Sequence, residues 1–246
     1  MLSEVVKKVY SNVVKVDVKV NGEWGNGSGL VIDKEGTILT CEHVVCPRGR
    51  DAEFVGVSQG KEMSKEVEIV KRDKNCDAAL LEAKHLSVNE NIKPRNFEQV
   101  NIGDDCFVLG YPIGLNHLTL SRGVVSAKGI GLVKQFMFNL IQIDARVNYG
   151  NSGGPVFDTE TSELIGILTM KYIPFLDTIE KLHDTVTKIR TNIKQPDSLT
   201  GIDLGKFFNT THVSLQEISH ALTLVQIGIG WVIPIDILNR GFIATS

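Results

Sequence analysis

Only four cysteines, Cys41, Cys46, Cys76 and Cys106, occur in the 246 residues, and no two are spaced as CxxC. That excludes a disulfide-stapled scaffold and a paired-thiol redox site, and it favours a reducing compartment in which each thiol is a small packed side chain. The six histidines (His43, His85, His117, His183, His212 and His220) form no HExxH or comparable ligand spacing, so neither a metal site nor a cofactor is expected. No run of 18 apolar residues exists, so no membrane span is expected. Charge of one sign is missing too: 26 basic and 29 acidic residues leave a net charge of -3, which gives nucleic acid or an anionic membrane nothing to hold. The opening MLSEVVKKVYSNVVKVDV mixes charges among its valines and makes no signal-peptide core, so the chain reads as soluble, unexported and cytoplasmic.

What the chain does have is a succession of short β-rich runs: VVKVDVKV (13–20), GLVIDKEGTILT (29–40), VEIVK (67–71), AALLEA (78–83), CFVLGYP (106–112), GVVSAKGIGLV (123–133) and LIQIDARV (140–147). Turn signals such as Asn21-Gly22 and Ile102-Gly103-Asp104 separate them, a spacing that predicts an all-β sandwich or barrel. Residues 163–170 read as the return strand of a hairpin turned at 158–162, and GIGWVIPIDIL (228–238) as a last strand. Between them the period changes. Ile179, Leu182, Val186, Ile189 and Ile193 fall on one helical stripe. Ser214-x-x-Glu217 makes a capping box ahead of Leu215, Ile218, Leu222 and Val225, so a second helix is expected to begin at Ser214. A helical insertion is therefore expected at roughly 174–226.

The segment VNYGNSGGPVFD (147–158) sets Ser152 among glycines. A serine hydroxyl becomes a nucleophile only when a base takes its proton and a third group orients that base. Gly150-Asn151-Ser152-Gly153-Gly154 fits the G-x-S-x-G elbow of α/β-hydrolases, with Asp203 and His220 as later partners, but that elbow needs a helix after the serine. Gly-Gly-Pro-Val-Phe-Asp is a poor helix former and reads as a strand. The other order places His43 at the end of the hairpin strand ILTCEH and Asp77 at the mouth of AALL, both upstream of Ser152.

In these pieces the chain resembles the protease domain of the HtrA (Do-like) family of trypsin-like serine proteases. The matching segments are NGSGLVIDKEGTILTCEHVV, CDAALLEA, IGDDCFVLGYPIG, LSRGVVSA, IDARVNYGNSGGPVFD, ELIGIL and GIGWVIPID, in the family's order. The resemblance implies a chymotrypsin/trypsin-like double β-barrel: one protease domain over 1–246, with barrels of roughly 1–115 and 116–246, the helical insertion at 174–226, and the active site between the barrels. It implies Ser152 as nucleophile, His43 as general acid/base, Asp77 as the group that orients His43, and an oxyanion hole at Gly150, Asn151 and Ser152. Polypeptide substrates, above all unfolded or damaged ones, follow from the same likeness, as does a homotrimer assembled through the N-terminal segment around Tyr10. The residue six before the serine, Arg146, would floor the primary specificity pocket and favour acidic side chains if it points inward; the family takes small apolar ones, and the alternative is an arginine turned to solvent. Asn148 and Tyr149 would lie beside it, and Ile167, Leu168 and Thr169 on the far wall. Too few residues follow GIGWVIPID for a PDZ domain. The insertion is expected to pack on its parent domain, with a lid or a self-association surface as alternatives. A catalytically idle protease fold used for binding is the competing function.

Overall fold

The computed structural model describes residues 2–59, 64–88, 92–133, 136–171, 181–182, 184–189, 204–224 and 228–243. It divides into two units, 1–171 with 228–246, and 172–227.

The first unit opens with helix α1 (Leu2–Val9), one 3₁₀ turn, and strand β1 (Val13–Val20). The alternating valines of β1 bury Val14, Val16 and Val18, each contributing ~1.5–3 kcal/mol by leaving water. Strands β2 (Glu23–Val31), β3 (Thr37–Thr40), β4 (Phe54–Ser58), β5 (Lys65–Glu66), β6 (Glu68–Asp73) and β7 (Ala78–Glu82) complete a seven-stranded sheet ordered β5-β4-β1-β2-β3-β7-β6. Strand β2 pairs with β1 through the two-residue turn Asn21-Gly22, both at positive φ, as its twist requires. A second, closed barrel is built from β8 (Asp105–Gly110), β9 (Thr119–Val133), β10 (Phe136–Ala145), β11 (Pro155–Asp158), β12 (Leu164–Lys171) and β13 (Ile229–Pro234), in the order β10-β13-β12-β11-β8-β9. The architecture is the trypsin-like double β-barrel, the first barrel half open. Strand β8 belongs to the second barrel although it precedes residue 115, so the boundary between barrels lies before β8.

Val108, Val125, Ile141, Ile143, Val156, Leu168 and Val232 fill the second barrel. The opposite side of its strands contributes Phe107, Leu109, Phe157, Ile167 and Ile233 to a core shared with the first sheet, in which Phe107 and Phe157 stack 5.4 Å apart. That shared core fixes one barrel against the other and hence the residues at their junction.

Several local expectations need correction. Residues 228–238 are not one strand: β13 ends at Pro234, and helix α5 (Ile235–Gly241) follows, burying Leu238 and Phe242. His43 lies not on a strand but on α2 (Glu42–Val45), a single turn directly after β3. In the second unit, residues 181–182 and 184–189 are helical, with 184–189 forming helix α3, while α4 (Leu204–Leu224) begins ten residues before Ser214. Ser214 is therefore inside a helix, and no capping box starts there; the preceding Lys-Phe-Phe-Asn-Thr-Thr-His carries no proline or glycine to stop the helix from extending backwards. The apolar stripe is only partly buried: Val186 and Leu215 are covered, whereas Leu182 (48%), Ile189 (41%) and Ile218 (46%) are exposed. Within this unit Thr187 Oγ1 and His212 Nδ1 lie 3.2 Å apart. The packing and lid alternatives for the insertion, Ile179, Ile193, Val225, the side chain of Leu222 and residues 194–203 lie outside the described residues.

Candidate active site

Residues from both barrels meet at one place. After β3, the chain turns into α2 and presents His43, whose side chain is 37% exposed. Asp77 precedes β7, the strand paired with β3, and it adopts φ 49, a left-handed conformation that aspartate tolerates better than most residues. In that conformation its backbone and side chain both face α2. Its carbonyl accepts the Glu42 N–H at 3.1 Å, Oδ1 accepts the His43 N–H at 3.0 Å, and Oδ2 lies 2.7 Å from His43 Nδ1. Oδ2 also accepts the hydroxyl of Thr169 on β12. Ser152, in the turn leading to β11, donates its hydroxyl to the Thr169 carbonyl at 3.3 Å and makes no hydrogen bond to His43. Thr169 thus joins the serine to the aspartate, and the aspartate joins the histidine.

The Asp77 side chain is 3% exposed. Burial alone would push its pKa up, yet the His43 ring, its backbone N–H and the Thr169 hydroxyl together hold the carboxyl below its ordinary 3.8. The folded protein therefore binds this proton less readily than the unfolded chain. The resulting stability is present above the unfolded pKa and is lost as pH falls through the depressed folded value. Thr169→Val removes one of the donors. It is expected to cost about 1.5–3 kcal/mol at neutral pH, the worth of a hydrogen bond to a charged group, and to raise the midpoint of acid unfolding, read by circular dichroism.

The serine turn is shaped by two glycines with positive φ. Gly150 (φ +89) lies so close to the next loop that an added Cβ would fall 2.3 Å from the Tyr111 carbonyl oxygen; at Gly153 (φ +81) it would fall 2.2 Å from the Ser28 carbonyl oxygen. Gly153→Ala is expected to destabilise the fold by roughly 1–3 kcal/mol or more, from backbone strain alone, measurable as a lowered Tm. The turn is stitched to β12 by Gly153 N–H to Leu168 O (2.7 Å) and Leu168 N–H to Gly154 O (2.9 Å). The Asn151 N–H is donated to Asn148 O at 3.0 Å, so it is unavailable to a substrate oxyanion, whereas the Gly150 and Ser152 N–H groups are given to no other group among the described residues.

The residues expected around the specificity pocket separate. Arg146 is exposed, its carbonyl accepting the Ser121 hydroxyl at 2.6 Å, so the acidic-pocket expectation loses its floor. Asn148 is buried, its side-chain oxygen accepting the Tyr149 N–H at 2.9 Å; Tyr149 itself is 49% exposed. Ile167 and Leu168 are core residues of the two hydrophobic clusters rather than a pocket wall, and the Thr169 side chain serves Asp77. Barrel closure explains the difference: β12 sits between β11 and β13, so its side chains are committed to packing. His220, the histidine of the hydrolase alternative, lies on α4, and its side chain is outside the described residues; Asp203 is likewise outside them.

Among the described residues, Cys41, His43 and Asp77 form one grouping whose potential metal-ligand atoms lie within 4.8 Å of one another. Spacing rules missed it because Asp77 comes from a different strand. A cation there would have to part His43 from Asp77 and compete with the Cys41 thiol's bond to Leu168 O at 3.3 Å.

Residues 27–167 match the family described as the trypsin-like peptidase domain. The chain belongs to the trypsin-like peptidase family. This family's relatives include a probable periplasmic serine endoprotease DegP-like of Pseudomonas fulva, 35% identical over 141 residues, or 57% of this chain and 28% of that protein. The magnetosome formation protease MamE of Paramagnetospirillum magneticum is 34% identical over 151 residues, 60% of this chain and 20% of that protein. The chain thus spans less than a third of the curated relatives it matches. The solved HtrA-type protease AlgW with tripeptide shares the fold, with a TM-score of 0.68 at 22% identity, covering 98% of this chain and 62% of that one. The matched domain is thus similar to those of HtrA-type proteases, as the motifs suggested, and the DegP-like relatives are named as serine endoproteases.

These relatives overturn the cytoplasmic expectation, because those named DegP-like are periplasmic. The cysteine argument failed for a physical reason. None of the four cysteines is in a disulfide and all four are buried, and burial pushes the thiols of Cys76 and Cys106 up to about 12. Inaccessible, protonated thiols resist oxidation without a reducing compartment. No helix among the described residues is long and apolar enough to cross a membrane.

Proposed function

We propose that this protein is a serine endopeptidase that cleaves unfolded or damaged polypeptides through an acyl-enzyme, in one catalytic domain of two barrels carrying a helical insertion. The observation that carries the reading is the 2.7 Å contact between His43 Nδ1 and a buried, ionised Asp77, linked through Thr169 to Ser152. In this mechanism Asp77 keeps the Nδ1 proton in place, so Nε2 is the atom left to act as base. The Ser152 hydroxyl turns from the Thr169 carbonyl to Nε2, gives up its proton and attacks the scissile carbonyl. The Gly150 and Ser152 N–H groups receive the developing oxyanion, and His43 passes the proton to the leaving amine. Water then repeats the sequence to release the acyl group. An extracytoplasmic location goes with this reading, as for the DegP-like relatives. A trimer is proposed by family likeness, with Tyr10, 52% exposed, at its contact; light scattering would test it.

The resting bond of Ser152 to Thr169, rather than to His43, favours a second reading in which the fold binds polypeptide without cutting it. Fluorophosphonate labelling of wild type, Ser152→Ala and His43→Ala, with and without an unfolded protein, separates the two. Labelling confined to wild type supports the protease, and its growth with unfolded protein supports activation by substrate. A folded wild type that never labels supports the binding module.

A further inference from the structure

Ser28, on β2 of the first barrel, is 0% exposed and is used at every polar atom. Its hydroxyl donates to the Gly150 carbonyl at 2.6 Å and accepts the Tyr111 N–H at 2.9 Å. Its own N–H donates to the Ser152 carbonyl at 2.8 Å, and its carbonyl accepts the Thr40 hydroxyl at 2.7 Å. We propose that Ser28 is a positioning residue that sets the oxyanion-donor turn, an inference that rests on Ser152 being the nucleophile.

Gly150, at φ +89, has no side chain to pin it, so its flanking peptides can rotate cheaply unless something outside the turn holds them. Each peptide is planar and trans, so fixing a carbonyl also fixes the N–H on its far side. Two outside groups supply the hold. The Ile113 N–H binds the Tyr149 carbonyl at 2.7 Å, which turns the Gly150 N–H the opposite way. The Ser28 hydroxyl binds the Gly150 carbonyl, which turns the Asn151 N–H back to Asn148. The Ser28 N–H then fixes the peptide beyond Ser152. What remains unengaged in the turn is the pair of N–H groups that the reaction needs.

Neighbouring backbone crowds the Ser28 side chain. An added Cβ at Gly110 would meet Ser28 Oγ at 2.8 Å, and one at Gly154 would meet Ser28 Cβ at 3.3 Å. Removing the hydroxyl therefore takes the Gly150 carbonyl's donor away at a closely packed, fully buried place. The nucleophile and its base come from different barrels, and Ser28 gives the base's barrel a hold on the two peptides that flank the Ser152 N–H, those of the Gly150 and Ser152 carbonyls.

The test compares wild type, Ser28→Ala and Ser28→Cys on an unstructured peptide substrate. Inhibition is measured with a peptidyl trifluoromethyl ketone, whose serine adduct carries an oxyanion, and with the same peptide lacking the electrophile. For Ser28→Ala, kcat is expected to fall about 10- to 100-fold, a part of what losing an oxyanion donor outright costs. KM and the Ki of the plain peptide stay near wild type, while the ketone's Ki rises in step with the loss of kcat. Ser28→Cys, a weaker donor of similar shape, falls between. A merely structural role would lower Tm without this split. Wild-type kcat in folded Ser28→Ala, or a loss carried by KM with the ketone's Ki unmoved, overturns the proposal. Should Ser28→Ala fail to fold, wild-type kcat and ketone affinity in Ser28→Cys overturn it equally. An inactive wild type brings down the reading of Ser152, and this inference with it.

Discussion

Ser152→Ala is expected to lower kcat by about 10⁴- to 10⁶-fold, and His43→Ala by a similar factor, with the double variant no worse than either, because a nucleophile and its base act as one unit. The loss should be almost purely chemical. The Ser152 hydroxyl makes one long hydrogen bond, 3.3 Å to a carbonyl, at a half-buried position. Its removal leaves no buried donor stranded, so Tm should move little and substrate should still bind. Peptide cleavage with active-site titration measures the first quantity, and calorimetry the second. Cleavage by Ser152→Ala at the wild-type rate would assign the chemistry to another group, and full activity in His43→Ala would reopen the later-histidine order of an α/β-hydrolase.

Asp77→Asn should be nearly as damaging, at about 10⁴-fold in kcat, although it only exchanges one carboxylate oxygen for an NH₂ group of similar size. The carboxylate accepts on both oxygens: Oδ1 from the His43 N–H, Oδ2 from the Thr169 hydroxyl and the His43 ring. An amide must turn its NH₂ toward one set or the other. Facing the ring, it makes Nδ1 an acceptor and drives the proton to Nε2, where it blocks removal of the serine's proton. Facing the backbone, it sets donor against donor in a site that is 3% exposed. Either way the variant loses activity by tautomer or by orientation, so kcat per folded molecule should fall while fluorescence and circular dichroism still report a native fold near neutral pH. Wild-type kcat in this variant would remove Asp77 from the mechanism.

The double barrel and the three residues of this argument were legible because each leaves a local mark. Alternating valines mark β1, an Asn-Gly turn marks the β1–β2 hairpin, and the glycines around Ser152 mark a backbone that must take positive φ. What escaped was set by pairing across the sequence. Nothing local distinguishes Thr169 as a partner of Asp77 from Thr169 as a pocket wall; the fact depends on β12 crossing behind β7's leading turn. Ser28 sat in plain view within NGSGLV, yet its hydroxyl acquires a purpose only when the second barrel brings Gly150 to it, 122 positions away. For Arg146, counting back from the serine fixes a position along the chain but not the direction of a side chain, which here is exposed. The α4 boundary failed because a capping pattern also occurs inside helices, where the preceding residues decide.

Lys171, the last residue of β12, lies opposite Gly230 in the ladder with β13. The segment between these strands therefore leaves and re-enters at two points that the ladder itself holds roughly 5 Å apart. Joining such points with two residues or with fifty changes the closure entropy by only a few kcal/mol, and the rungs beneath are unaffected. The barrel thus has a socket at this edge: a position where the length of the connecting chain can change at little cost in closure.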